Sequence, residues 1–397
     1  MAVTLADVAT RAGVSAATVS RVLSGNYPVA GATRTRVMRA VEELQYVVNG
    51  PASALAAATS DLVGVLVNDI ADPFFGIIAG AVQSEMGESG PGTSGQKLAV
   101  VCNTGGSPES ELTYLTHLQR QRAAAVVLTG GAVEDEKHSA ALATRLRRLA
   151  AGGTRIVLCG RPPLGPEEAR QAAPPEGTPP EAAPREGTTR EGRPEDPASG
   201  GQAASGGHGI VTVAFDNRGG SRRLTEHLLA LGHRRIGYVA GPADRTTTRD
   251  RLEGHRLALL ERAPGLLEDA DRFTVHGGAY DRSSGYDGAL ELLRRVPDLT
   301  AVLAANDTVA LGICAALRDQ GLRIPEDISV AGFDDLPFSA DASPALTTVR
   351  IPLHAAGARA GRLALGRETP PPGGVATVRS ELMARASTAP PAASPRG

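Results

Sequence analysis

Apolar residues at Leu5, Val8, Ala9 and Ala12 recur at i, i+3, i+4 and i+7, which is one face of a two-turn helix. Gly13 permits a sharp turn, Val14 can fill the corner, and Ser15 has the side chain of an N-cap for a second helix over 16–23. In that second helix Val19, Val22 and Leu23 face inward. A third pattern over 32–44 uses Val37, Val41 and Leu44 to close the same small core. From Asp61 the rhythm changes. Short apolar runs at 62–67, 98–102, 124–128, 156–159, 210–215, 236–240, 301–304 and 329–333 alternate with amphipathic stretches at 74–88, 109–121, 220–231, 249–261, 283–295 and 308–320. That alternation predicts an α/β architecture of parallel strands joined by helices, and two doubly wound sheets fit it better than one very wide sheet.

Two stretches interrupt the alternation. Residues 164–207 hold almost no large apolar side chain, so they cannot bury enough surface to offset their ordering entropy and are expected to form a disordered surface insertion. A shorter Gly-rich loop, SGPGTSGQ, occupies 89–96. The pattern divides the chain into a helical headpiece (1–48), an Ala-rich connector (49–60), a core of two subdomains (61–386) and a flexible tail (387–397).

Composition narrows the functions open to such a chain. Hydrophobic residues make up 42% of the 397, enough for two or three buried cores. The formal net charge is -2, so a site for nucleic acid has to be a local patch. The first sixty residues supply one, because Arg11, Arg21, Arg34, Arg36 and Arg39 outnumber Asp7, Glu42 and Glu43. No apolar run approaches the roughly 18 residues of a membrane span, and a signal peptide's apolar core is missing, so a cytoplasmic location is expected. Cys102, Cys159 and Cys314 each sit within an apolar run and read as buried thiols, and the histidines lack metal-ligand spacing. No P-loop, no GxGxxG after a first strand and no nucleophile elbow is present; the expectation is a non-enzyme without cofactor or metal.

The first two helices read as a helix-turn-helix, in which the second helix enters the DNA major groove. Ala16, Ala17 and Thr18 can meet thymine methyl groups, and Arg21 can pair with guanine. Thr4, Ser15, Ser20 and Thr33 are candidates for phosphate contact. An ordinary helical hairpin with a solvated Arg21 would share the same pattern.

The segment TLADVATRAGVSAATVSRVLSG resembles the headpiece of the LacI/GalR family of bacterial transcription regulators. The likeness continues in order through RAVEELQYVVNGPASALA, IADPFF, FDNRGGSRRLTEHLLALGHRRIGYVAGP, VLAANDTVALG, ISVAGFDD and PALTTVRIP. This resemblance implies a core like that of periplasmic sugar-binding proteins, two subdomains clasping a small-molecule effector, and a repressor that binds a roughly palindromic operator as a homodimer, with a tetramer left open. It also implies that Leu55 of a hinge helix, with Ala52 beside it, wedges into the minor groove. An apolar wedge of that kind unstacks a base step and bends DNA; a linker whose Leu55 packs on the core is the alternative. Carried over position by position, the family's effector contacts fall on Phe74, Phe75, Arg245, Thr247, Arg251, Tyr280, Asn306 and Asp334. Aromatic faces, an arginine, an amide and a carboxylate are what a polyhydroxylated ligand needs.

Each of these residues also has a structural reading. Phe74 and Phe75 could be core, Arg251 could bridge to Asp334, and Asn306 could cap the helix that follows it. Four positions depart from the family pattern: Asp72 where asparagine is frequent, Gly160 where many relatives carry aspartate, Ser24 after the recognition helix, and Ala30 at the cap of helix three. The loss of the aspartate leaves Arg161 as a substitute ligand contact. A solute-binding module without regulatory DNA binding is the competing function, and the intact headpiece argues against it.

Overall fold

The computed structural model describes residues 3–24, 28–46, 60–87, 97–165 and 209–392. Three helices form the headpiece: α1 (Leu5–Ala12), α2 (Ala16–Ser24) and α3 (Gly31–Glu43). The apolar stripes converge as the spacing predicts, burying Val8, Ala9, Ala12, Val19, Val22, Val37 and Ala40 together. Gly13 ends α1 in a left-handed conformation, φ 65°, and its N–H reaches the carbonyls of Ala9 and Thr10.

The first lobe of the core runs β1 (Leu62–Val67), α4 (Pro73–Gly87), β2 (Leu98–Asn103), α5 (Pro108–Arg120), β3 (Ala125–Thr129), α6 (Glu136–Ala151), β4 (Arg155–Cys159) and β5 (Ile210–Phe215). The chain then passes into a second lobe of α7 (Asn217–Ala230), β6 (Ile236–Ala240), α8 (Thr246–Arg262), β7 (Thr274–His276), α9 (Arg282–Arg295), β8 (Ala301–Ala304), α10 (Asp307–Asp319) and β9 (Ser329–Ala331). After the short α11 (Phe338–Asp341) and β10 (Thr348–Arg350), it returns to the first lobe as α12 (Leu353–Leu365) and β11 (Val375–Val378), then ends in β12 (Glu381–Met383). The first sheet has the order β11-β5-β4-β3-β1-β2 and the second β7-β6-β8-β9. Every pairing within them is parallel, while β10 and β12 form a separate antiparallel pair. Continuous apolar runs are the expected sequence of such strands, because helices cover both faces; β3 is buried at every position.

α12 lies along α4, with Gly357 at the crossing. A Cβ added there would stand 2.6 Å from the Ile78 carbonyl oxygen, so only glycine allows this approach. Where the chain crosses between lobes, charged ties join its passages. Arg223 Nη2 donates to Asp216 Oδ2 at 2.8 Å and to the Ser380 carbonyl at 2.9 Å, linking the passage after β5 to the one after β11. Asp335 pairs with Arg350 at 2.7 Å and Arg385 at 2.6 Å.

The polar C-terminal residues correct one expectation. Instead of fraying from residue 387, the chain docks on the second lobe: Val330 N donates to Ser387 O, Ser387 N donates to Ala345 O, and His233 bonds the Ala389 carbonyl at 2.8 Å. Ser387 is 1% exposed. Small polar residues look like tail in a sequence, yet their backbone groups complete a strand edge as well as any others. The expected insertion at 164–207 falls almost wholly outside the described residues, as do the loop 89–96 and the connector around Ala52 and Leu55.

Candidate functional site

In the headpiece two of the proposed phosphate contacts are helix caps. Thr4 and Asp7 form a capping box on α1, with Thr4 Oγ1 donating to Asp7 Oδ2 at 2.7 Å; those hydrogen bonds hold the Asp7 carboxyl below its usual range. The Thr18 amide donates to Ser15 Oγ at 3.1 Å, which starts α2. Ala16, Ala17, Ser20 and Arg21 are exposed on α2, Thr18 is half-buried, and Thr33 is half-buried in the first turn of α3. The outer face of α2 therefore presents the small residues and the arginine singled out from the sequence. Ala30 gives α3 no side-chain cap.

Between the lobes lies a cavity of about 670 Å³. The loops at the C-terminal ends of the strands line it, the position where open parallel sheets place ligand sites. From the first lobe come Asp72, Phe74 and Phe75 at the start of α4, with the two rings edge-to-face at 5.0 Å. From the second come Arg245 and Thr247 before and within the first turn of α8, then Arg251, Tyr280, Asn306 and Asp334. Eight of the nine effector positions read from the sequence thus share one cavity.

Arg251 is the anchor. Its Nε donates to Asn217 Oδ1 at 2.9 Å, Nη1 to the Ala305 carbonyl at 2.5 Å and Nη2 to Asp334 Oδ1 at 2.7 Å, while its Cζ sits 3.7 Å above the Phe333 ring. Asp334 has φ 102°, and burial pushes its carboxyl up against the opposing pull of Arg251. Tyr280 and Thr248 share a hydrogen bond of 2.6 Å, and burial raises the Tyr280 phenol. Asn306 accepts from the Val309 amide at 2.9 Å, so it caps α10 while facing the cavity. Its neighbour Asp307 is tied to the Leu336 amide, Ser339 and Thr348 instead, and burial pushes it up to about 7. The structural and ligand-facing readings of Arg251, Asp334 and Asn306 are both present in the geometry.

Arg161 is a correction. It does not line the cavity; it pairs with Glu111 at 2.6 Å, which also meets His138 at 3.0 Å, and all three side chains are buried. α6, which carries His138, was absent from the sequence reading, so this partner set for Arg161 could not be anticipated. Polar lining residues that the sequence analysis did not name as ligand contacts include Asn68, Asp72, Asn103 and Thr308. Asp72 Oδ1 accepts from the Phe74 amide at 3.0 Å. Burial pushes Asp72 up to about 6, the Phe74 bond opposes this, and Asp334 and Asp69 add to the rise. The buried Thr308 hydroxyl has no partner among the described residues.

A three-helix headpiece followed by two parallel-sheet lobes around a polar cleft is the architecture of a DNA-binding transcriptional regulator, and comparison with known proteins agrees. Residues 4–49 match the family described as bacterial regulatory proteins, lacI family, and residues 225–388 match a periplasmic binding protein-like domain. GalR of Escherichia coli K12 is 32% identical over 91% of this chain and 88% of its own. CelR of Thermobifida fusca is 32% identical over 92% of both, and MalR of Streptomyces coelicolor 32% over 98% and 97%. Among solved structures, the CelR–cellobiose complex aligns with TM-score 0.61 and 30% identity over 97% of this chain and 99% of that one. The Lac repressor dimer bound to operator and the anti-inducer ONPF aligns with TM-score 0.69 and 25% identity over 98% and 100%. The chain belongs to the LacI family of DNA-binding transcriptional regulators.

Proposed function

We propose that this protein is a cytoplasmic repressor, active as a homodimer on a roughly palindromic operator and controlled by a sugar or related polyhydroxylated metabolite held between its lobes. The observation that carries the reading is Arg251: one guanidinium lines the cavity and also holds Asn217, on the passage after β5, and Asp334, whose backbone bonds Val349 and Ile351 where the chain heads back to the first lobe. A ligand that hydrogen-bonds Arg251 or Asp334 therefore acts directly on the hinge. Such a ligand shifts the lobe equilibrium by its differential affinity, typically about 1–3 kcal/mol. Phe74, Phe75 and Tyr280 offer apolar faces for sugar C–H groups, and the polar residues around them suit hydroxyls. The complex of a relative with cellobiose supports this ligand class.

In this reading α2 enters the major groove, and Leu55, with Ala52, wedges the minor groove at the operator centre. The dimer would use the open edge of the first sheet. β2 exposes Leu98 at 62%, with Val100 and Val101 at 37% each, and a bare apolar edge strand of that kind calls for a partner. The test is to select an operator from random duplexes, then titrate mono- and disaccharides against the complex in a gel shift. Release by one sugar, and its loss in an Asp334→Asn variant, is the expected result; a complex indifferent to every sugar would overturn the effector assignment.

A further inference from the structure

Most arginines on the core surface are paired. Arg218 meets Glu253, Arg256 meets Asp271, and Arg294 meets Glu291, each within 2.9 Å. Arginines without an ion pair to a described residue, such as Arg272, Arg282 and Arg318, are scattered over the second lobe, whereas one end of the first lobe gathers several. Arg120, Arg122, Arg147, Arg148 and Arg155 are all exposed, and none makes an ion pair with any described residue. Arg122 and Arg148 line a shared depression of about 350 Å³ with Gln119, Gly152 and Thr154; Arg155 follows Thr154 directly, and Arg120 adjoins Gln119. Asp61, beside the chain's entry to the core, is occupied by Lys97 at 2.7 Å.

This is also the end where the chain enters the core. Ser60 donates from both its amide, at 2.9 Å, and its hydroxyl, at 3.1 Å, to the carbonyl of Arg122 itself. Residues 47–59 separate Ser60 from the headpiece, and even fully extended they span at most roughly 45 Å. DNA gripped by the headpiece is therefore held near this face of the lobe. Unneutralised guanidiniums crowded on one face repel each other, and polyanionic DNA relieves that repulsion by releasing its counterions.

We propose that this arginine face is a second DNA contact, made by the core to backbone phosphates beside the sequence read by the headpiece. It contributes affinity and salt dependence, and it carries no base preference, since phosphate contacts position without specifying. The proposal rests on the operator-binding reading above.

The test uses full-length protein carrying Arg122→Gln and Arg148→Gln, with fluorescence anisotropy on a duplex limited to the operator and on one extended by about one helical turn at each end, across a salt series. Each lost phosphate contact lowers the slope of log K against log salt by about 0.9. The double variant should show a slope shallower by about two on the extended duplex, unchanged base preference, and a smaller loss on the short one. Arg122→Lys with Arg148→Lys should keep the slope, because an ammonium also neutralises phosphate; this separates lost charge from lost folding. Equal slopes for wild type and the Gln variant overturn the proposal. So does protection of the wild type, and not the variant, by inorganic phosphate alone with DNA binding unaltered, which would mark a small-anion site. If the wild type itself binds no duplex in a salt-dependent way, it is the operator reading that fails.

Discussion

Arg251 and Asp72 show how the cleft divides its labour between single side chains. Truncating Arg251 leaves Asp334 buried without its cation, which typically costs about 3–5 kcal/mol. Arg251→Ala should therefore melt the second lobe early as well as abolish the effector response, and α2 should stay folded on its own core. Adding Asp334→Ala removes the orphaned carboxyl, so the double variant should regain part of the melting temperature without regaining effector binding. A recovery of both in calorimetry would place the ligand elsewhere. Asp72 supplies a pH test. Its carboxyl is raised from 3.8 to about 6, so between those values the folded protein holds a proton that the unfolded chain has released. Stability from this group is present below pH 4 and is lost as pH rises through 6. Asp307 and Asp334 shift in the same direction, so only the comparison isolates Asp72. Asp72→Asn should flatten the decline between pH 4 and 6 by on the order of 1–3 kcal/mol in urea denaturation; parallel curves for the two proteins would refute the assignment.

At the scale of elements, the headpiece was the most legible part of the sequence because its logic is local: stripe, glycine, cap, stripe. Ser15 tests that logic. Ser15→Ala removes the cap of α2 at a cost of about 1 kcal/mol, which should speed amide exchange at Val19 and Val22 about fivefold in the full chain. Ser15→Asp retains a cap but sets a negative charge against the DNA, so it should keep the protection and lose operator affinity. If both variants lose affinity equally with exchange unchanged, Ser15 acts through phosphate alone. Eight of the ten described strands in the two sheets follow from their continuous apolar runs to within two residues; β7 and the four-residue β11, VATV, do not. α12 was not, since its buried face is Leu353, Ala356, Gly357, Ala360, Gly361, Leu363 and Ala364, and a stripe of alanine and glycine carries little contrast. α6 was missed as well, although Leu142, Leu146 and Leu149 repeat at helical spacing inside it. The strands β7, β10 and β12 are only three residues long, too short for any period to register. The cleft positions became visible only through the family resemblance. Nothing in the local pattern brings Asn217, Arg251 and Asp334 together, because that meeting is made by tertiary contacts spanning 34 and 83 residues of chain.

At the scale of the whole molecule, the core is two lobes, and a band of contacts joins them across the mouth of the cleft. The Thr246 amide donates to the Ala132 carbonyl, and the Ala132 amide returns a bond to Thr246 Oγ1, both at 3.0 Å. The Glu134 amide donates to the Asp244 carbonyl at 2.7 Å, Arg249 pairs with Glu134, and Arg245 reaches the Gly106 carbonyl at 2.9 Å. Opening the lobes breaks all of these together, so the band favours the closed arrangement before any ligand arrives. The exposed Arg249–Glu134 pair contributes little of this bias, since such pairs are worth about 0–1 kcal/mol. The Thr246 hydroxyl contributes more, because it is buried and its loss leaves the Ala132 amide unsatisfied, at about 1–3 kcal/mol. Thr246→Val keeps the side-chain shape and removes that one acceptor. In solution scattering the variant's radius of gyration should rise toward an open form without ligand and return on saturation. Its effector affinity should fall about fivefold or more, because ligand must now supply the closing free energy that the band had supplied. If scattering and affinity both match the wild type, the free protein is already open, and closure belongs to the effector alone.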